Sequence, residues 1–273
     1  MELIRFHELQ RFRDLALPYL TEREAEHGLL VGLTVGADAL PDGALAAVVT
    51  DADQVRGIGL RLDYRTIVSR VDDPGAMALL ASAVAADSAT RMVAGARPTV
   101  EAVRSRITDA ITFSMDQVVY ATNAVKPPSG APDRKRRRAE ARDREVLTDA
   151  HLELHGWLGA SETREDAAVA AERMIASGNL SVWETPTGDV VSTAGTAGPT
   201  LHGIRLNYVY TPRELRGRGY AAALVNDLTQ SLLDGGRRFV FLHADRANPT
   251  ANRLYERVGF EAVGDFAMIR LAS

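Results

Sequence analysis

The stretch Val209-Tyr-Thr-Pro-Arg-Glu-Leu-Arg-Gly-Arg-Gly-Tyr-Ala-Ala222 constrains this chain more than any other. A strand-like alternating run, Ile204 to Tyr210, leads into it, and a helical pattern from Gly219 to Leu233 leaves it. Two glycines flank one arginine where the helix begins. Such a junction exposes successive backbone N–H groups at a helix N-terminus, and with the helix dipole they can receive a pyrophosphate. Glycine suits the turn because a side chain would hold the phosphate away and because φ can become positive. Arg216 and Arg218 can add charge-assisted contacts. The segment therefore calls for an α/β fold in which a strand feeds a helix through an anion-binding turn.

Three phosphate loops compete for this text. A Walker loop needs Gly-Lys-Ser/Thr, which is absent. A dinucleotide fingerprint is formally present in Gly217, Gly219 and Ala222, and Asp245 ends the next strand-like run. That loop should follow its strand directly, whereas Thr211 to Arg216 intervene, and too little chain remains for repeated βαβ units. The third reading rests on two motifs. Arg216-Gly-Arg-Gly-Tyr-Ala221 resembles the acetyl-CoA pyrophosphate loop of GNAT acetyltransferases, with Glu214 where Gln or Arg is commonest. Downstream, Asn248-Pro-Thr-Ala-Asn252-Arg-Leu-Tyr255-Glu-Arg-Val-Gly-Phe260 resembles that family's Asn…Asn…Tyr…Gly-Phe helix. The resemblance covers the C-terminal half, from Arg134 to Ser273.

It implies that the strands Ile204–Tyr210 and Arg238–Ala244 splay apart. Backbone groups of Tyr208, Val209 and Tyr210 would pair with the pantetheine arm of acetyl-CoA. Arg216, Gly217, Arg218, Gly219, Tyr220 and Ala221 would hold the pyrophosphate, and Asn248 and Asn252 would bond amides of the arm. Capping and turn formation are the plainer roles of both asparagines. The reaction implied is direct attack of a primary amine on the thioester, with a Val209 or Tyr210 amide stabilising the oxyanion. Tyr255 would act as general acid, since a phenol and a thiol have similar proton affinities. Glu184 is the first candidate base, with His202, Tyr208 and Asp245 behind it. His151 and His155 share a helix face at i, i+4, but no third ligand suggests itself, so no metal is expected. Trp157 and Trp183 read as core residues.

The rest of the chain is consistent with this reading. Residues 121–132, ATNAVKPPSGAP, interrupt apolar periodicity, so a linker is expected at 123–133 between domains 1–122 and 134–273. The basic run Arg134 to Arg138 reads as a solvated edge, with a short first strand at Arg138–Ala141. Helices are expected at Asp143–Leu158 and from a Ser161 or Thr163 cap to Ser177. Strands are expected at Leu180–Glu184 and Val190–Ala194, a helix at Thr250–Val258, and two short strands within Phe260–Leu271.

The N-terminal half repeats this order without its chemistry. Helices are expected at Glu22–Val35, Gly75–Asp87 and Thr99–Ile107. Strands are expected at Ala44–Thr50, Gln54–Arg61, Arg65–Val71, Arg91–Gly95 and Phe113–Ala121. Where amides should meet phosphate it reads Ser69-Arg-Val-Asp-Asp-Pro-Gly75. This half resembles a degenerate GNAT copy, an unrelated α/β domain being the plainer alternative. The fold class expected is therefore α/β, two GNAT-like domains, each a mixed, mostly antiparallel sheet with flanking helices.

Composition narrows the partners. The 273 residues include no cysteine, which excludes disulfides and thiolate sites and suits a reducing cytoplasm, the expected location. A net charge of -4 gives no global attraction for nucleic acid or anionic lipid, and Leu29–Leu40 is too short and glycine-rich to span a bilayer. A small-molecule or peptide amine is the expected acceptor. A CoA-sensing module without turnover and acetylation of an amino-sugar conjugate, as in mycothiol synthase, are the alternatives; the oligomeric state is not legible.

Overall fold

A computed structural model describes residues 1–127, 135–157 and 159–272. The N-terminal half comprises β1 (Glu2–Arg5), α1 (Leu9–Thr21), α2 (Gly28–Gly36), β2 (Leu45–Asp51), β3 (Gln54–Arg61), β4 (Arg65–Val68), α3 (Pro74–Ala85), β5 (Met92–Ala96), α4 (Arg97–Arg104) and β6 (Ile111–Thr122). The C-terminal half comprises β7 (Lys135–Arg138), α5 (Arg144–Trp157), α6 (Arg164–Ser177), β8 (Leu180–Glu184), β9 (Val190–Ala197), β10 (Gly203–Tyr210), α7 (Tyr220–Asp234), β11 (Phe239–Asp245), α8 (Pro249–Val258) and β12 (Glu261–Leu271). Each half runs through the same order of strands and helices.

Several boundaries differ from the sequence reading. A first strand and helix, β1 and α1, precede the first expected helix. Leu9, Phe12, Ala16 and Leu20 form α1's buried stripe, at spacings that helical periodicity provides. The helix expected over Glu22–Val35 starts only at Gly28. The basic run is itself the edge strand β7, antiparallel to β8, because Arg137 turns inward to Asp143 at 2.6 Å. Residues Glu261 to Leu271 form one strand with a bulge between Ala262 and Gly264, not two strands. Most of the expected linker, Arg134 and Leu158 lie outside the described residues. Thr163 caps α6 by accepting from the Asp166 amide, one of the two caps expected.

The two expected sheets are fused into one of twelve strands, ordered β1-β2-β3-β4-β5-β12-β6-β11-β10-β9-β8-β7. At its centre the halves exchange their last strands. β12, from the C-terminal half, pairs with β5 through Phe266↔Ala96 to Arg270↔Met92. β6, from the N-terminal half, pairs with β11 through Val240↔Thr122 to Asp245↔Gln117. β6 and β12 also pair with each other, Glu261↔Ala121 to Leu271↔Ile111. Side chains follow the exchange: Val118 and Tyr120 of β6 join the core under α7, whereas Ala267, Ile269 and Leu271 of β12 join the core under α3 and α4.

A cleft between diverging strands

The parallel pairing of β10 with β11 stops early. It runs Gly203↔Phe239, Ile204↔Val240 and Arg205↔Phe241, although the strands continue to Tyr210 and Asp245. The divergence begins at a bulge, where the register of β10 against β9 shifts between Asn207 and Tyr210. Tyr208 sits in this bulge at φ +56°, a left-handed conformation costly for a side-chain-bearing residue and held here by surrounding contacts. Thr193 Oγ1 donates to its carbonyl at 3.1 Å. The inner edge of Leu206 to Tyr210 thus faces a gap rather than a strand.

The glycine loop opens beside this gap. Gly217 and Gly219 have φ of +77° and +82°, and a Cβ added at either would meet nothing within 4 Å. Ala223 donates the first bond of α7, to the Gly219 carbonyl at 3.0 Å. The amides of Ala221 and Ala222 precede it and have no partner among the described residues, as helix geometry dictates for the first turn. Tyr220 is buried and anchors the turn in the core. Arg216 donates to Glu153 Oε1 at 2.8 Å and to the Thr211 carbonyl at 2.9 Å, with its guanidinium over the rings of Trp157 and Tyr210. It is thereby tied to α5. Arg218 remains exposed, touching the Glu214 carbonyl at 3.2 Å.

The other wall is α8. Asn248 caps the helix by accepting from the Ala251 amide at 3.1 Å, so the plainer role is realised. Asn252 donates to the Asp245 carbonyl at 3.1 Å, while its Oδ1 is enclosed and accepts nothing from the protein. A buried amide oxygen without a donor invites a ligand N–H. Tyr255 lies beside it, 8% exposed, its hydroxyl without a partner among the described residues. Burial raises its pKa, so it keeps its proton at neutral pH. Tyr120, from the exchanged strand β6, stands 6.1 Å from the Tyr255 ring.

The candidate bases separate sharply. Glu184 does not join the cleft. Arg137 and Arg142 hold its Oε1 at 2.8 and 3.1 Å, and the Arg137 guanidinium keeps its carboxyl below the usual range. His202 is bonded to Glu24 of the N-terminal half at 2.6 Å. Asp245 accepts from the Ala247 amide at 2.9 Å. Trp183 is buried, as expected, but Trp157 is 45% exposed beneath Arg216. Tyr208 alone of these candidates enters a proton-conducting arrangement. Its hydroxyl lies 2.5 Å from His151 Nδ1, His151 Nε2 lies 2.8 Å from Glu162 Oε2, and His155 Nδ1 lies 2.8 Å from Glu162 Oε1.

One assignment of protons satisfies every member of this network. A carboxylate only accepts, so both histidines donate to Glu162, and His151 Nδ1 must accept from Tyr208. Burial, with His155 beside it, lowers the His151 pKa and keeps that acceptor neutral. Glu162 is the third group that the i, i+4 histidine pair lacked in the sequence reading. The three ligand atoms lie within 4.8 Å of one another, near enough to hold a metal ion, although the network is hydrogen-bonded throughout without one. Glu162 stands in a loop, and only folding shows that it turns back onto α5.

The equivalent place in the N-terminal half is closed. β4 and β5 pair along the whole of β4, from Arg65↔Met92 to Val68↔Gly95. Asp73 caps α3 by accepting from the Ala76 amide at 2.8 Å, Pro74 removes a donor, and Asp72 pairs with Arg70 at 2.7 Å. Gly95 has φ +143°, and a Cβ there would lie 2.1 Å from the Val68 carbonyl oxygen. Gly95→Ala should therefore destabilise the protein by about 3 kcal/mol or more, read as a shift in the urea midpoint. A midpoint within a few tenths molar of wild type would show that these strands can separate.

The comparisons agree with this architecture. Residues 200–269 match the family model described as FR47-like protein. No curated protein matches the chain at the sequence level. Among solved structures, a Drosophila protein aligns over 99% of this chain and 98% of its own, with a TM-score of 0.67 and 14% identity. A GCN5-related N-acetyltransferase from Sphaerobacter thermophilus aligns over 92% of both chains, with a TM-score of 0.56 and 19% identity. A tandem GNAT protein from the clavulanic acid biosynthesis pathway aligns over 100% of this chain and 99% of its own, with a TM-score of 0.55 and 13% identity. From its first strand to its last, this chain has the two-domain GNAT fold.

Proposed function

We propose that the chain is an acetyl-CoA-dependent N-acetyltransferase that moves an acetyl group to a primary amine by direct attack, with one active site, in the C-terminal half. The observation that carries this is the gap between β10 and β11, opening beside two positive-φ glycines at the α7 N-terminus. Its residues fit acetyl-CoA: free amides of Ala221 and Ala222 for the pyrophosphate, the edge of β10 from Tyr208 to Tyr210 that β11 no longer covers for the pantetheine arm, and the orphan Asn252 Oδ1 for an arm amide. When bound, acetyl-CoA supplies the activated acyl group. Amides of Val209 or Tyr210 face the charge that develops on the carbonyl oxygen. Tyr255, protonated and unpartnered, donates a proton as the thiol departs.

Tyr208, His151 and Glu162 replace Glu184 as the proton acceptor for the amine. Tyr208 passes its hydroxyl proton to His151 Nδ1 while taking one from the amine, and Glu162 stabilises the imidazolium formed. Tyr255→Phe should lower kcat by roughly 10²–10⁴-fold with little change in KM for acetyl-CoA. An amine panel scored by free CoA release measures both, and wild-type turnover in the variant would remove Tyr255 from the mechanism. Among the described residues no helix is long and apolar enough to cross a membrane. We place the protein in the cytoplasm, with a small-molecule or peptide amine and not nucleic acid as its partner.

A further inference from the structure

Two buried nitrogen atoms at the root of the cleft have no partner. Along β10, Ile204 and Leu206 pack toward α7, so Arg205 projects from the opposite face of the sheet. Along β11, Val240 and Leu242 pack toward α7, so Phe241 and His243 share the Arg205 face. Arg205↔Phe241 is the last paired position before the strands part, and His243 follows one side-chain repeat later. Arg205 Nε and His243 Nε2 are both enclosed, and neither makes a hydrogen bond. The whole Arg205 guanidinium lacks a hydrogen bond or ion pair among the described residues.

The surroundings come from both halves. On one side α2 closes in: a Cβ at Gly28 would lie 2.3 Å from the Phe241 ring, and Phe266 of the exchanged β12 sits 4.5 Å from the His243 ring. On the other side α5 brings His151 to Tyr208, three residues along β10 from Arg205. Glu24 is taken by His202 at 2.6 Å and Asp63 by Arg65 at 2.6 Å, and neither bonds Arg205. An enclosed guanidinium nitrogen without an acceptor is unfavourable, and an anion bound to the fork would satisfy it. The planar fork of arginine matches a carboxylate. Burial first, and the Arg205 charge second, push the His243 pKa down to about 3, so its ring stays neutral and offers one further hydrogen bond.

We propose that Arg205, with His243 beside it, binds a carboxylate of the acceptor, making the acceptor an aminocarboxylate whose amine reaches the Tyr208 hydroxyl while its carboxylate reaches the floor between α2 and α5. The substrate class rests on the acetyltransferase reading, whereas the anion subsite does not. The N-terminal half then has a stated role: its helix α2, packed on Phe241, helps to close this face of the sheet and gives the arginine's charge strength in a low-dielectric setting.

The full chain saturated with CoA is titrated with glycine, β-alanine and 4-aminobutyrate, with ethylamine and propylamine as partners lacking the carboxylate, and with aminomethylphosphonate. Wild type should bind the best aminocarboxylate roughly 10–100-fold more tightly than its matched amine. Arg205→Met should erase that preference and Arg205→Lys retain part of it, both with CoA affinity unchanged. Equal binding of amines and aminocarboxylates, a preference that survives Arg205→Met, or a phosphonate outranking every carboxylate would overturn the assignment. Should Arg205→Met fail to fold, the wild-type panel decides alone. Because binding is read without turnover, a carboxylate preference in a protein that transfers no acetyl group sinks the enzyme reading and leaves the subsite standing. Transfer to amines without that preference does the reverse.

Discussion

A fragment beginning at Lys135 should not fold as a soluble monomer. Without β6, β11 loses its partner from Val240 to Asp245, and the α7 core loses Val118 and Tyr120. Without β5 and β6, β12 is unpaired on both edges. Phe266, Ile269 and Leu271, buried in the intact chain, would face water. Burying a large apolar side chain contributes about 1.5–3 kcal/mol, so these three alone amount to roughly 5–9 kcal/mol, comparable to the whole stability of a typical domain. Two unpaired strand edges add a template for aggregation. The expected result is no cooperative melt and oligomers by light scattering. Co-expression of residues 1–127 with the fragment should recover a discrete complex, since all exchanged strands are then present. A monomeric fragment with a sharp transition and full CoA affinity would mean that the halves are independent domains.

Gly219→Val should abolish CoA binding while leaving the fold in place. At φ +82° a β-branched residue is strained, by at least the ~1–2 kcal/mol that a left-handed conformation costs an L-residue. No protein atom lies within 4 Å of the new Cβ, so the core is undisturbed. The methyls would stand in the space that the Ala221 and Ala222 amides face. Losing two charge-assisted bonds of about 1.5–3 kcal/mol each predicts an affinity loss of roughly 10²–10⁴-fold. Calorimetry measures the loss and a thermal melt the fold, with Gly219→Ala as the milder variant. An unchanged affinity would show that the pyrophosphate lies elsewhere. Wild type should bind one CoA per chain, because the equivalent N-terminal helix spends its amide on Asp73 and its strands do not part.

The amino-acid sequence by itself determined what is local. The glycine loop, the Asn248-to-Phe260 helix and the doubled order of elements are written in short windows, because backbone conformation and helix ends answer to neighbours in the chain. Even the missed α1 was legible, in the spacing of Leu9, Phe12, Ala16 and Leu20. The pairing of Glu184 with Arg137 and Arg142 was not legible, because a strand-end carboxylate looks the same in sequence whether it meets substrate or two arginines. Glu162 was silent because loop residues carry no periodicity to say where they turn. Only the tertiary structure decided which strand lies beside which. The alternation in β6 fits β5 or β11 equally well, and the exchange is selected by cores that lie far apart in sequence. The same packing encloses Arg205 Nε without supplying an acid, a property of the assembled sheet and helices that no stretch of the chain contains.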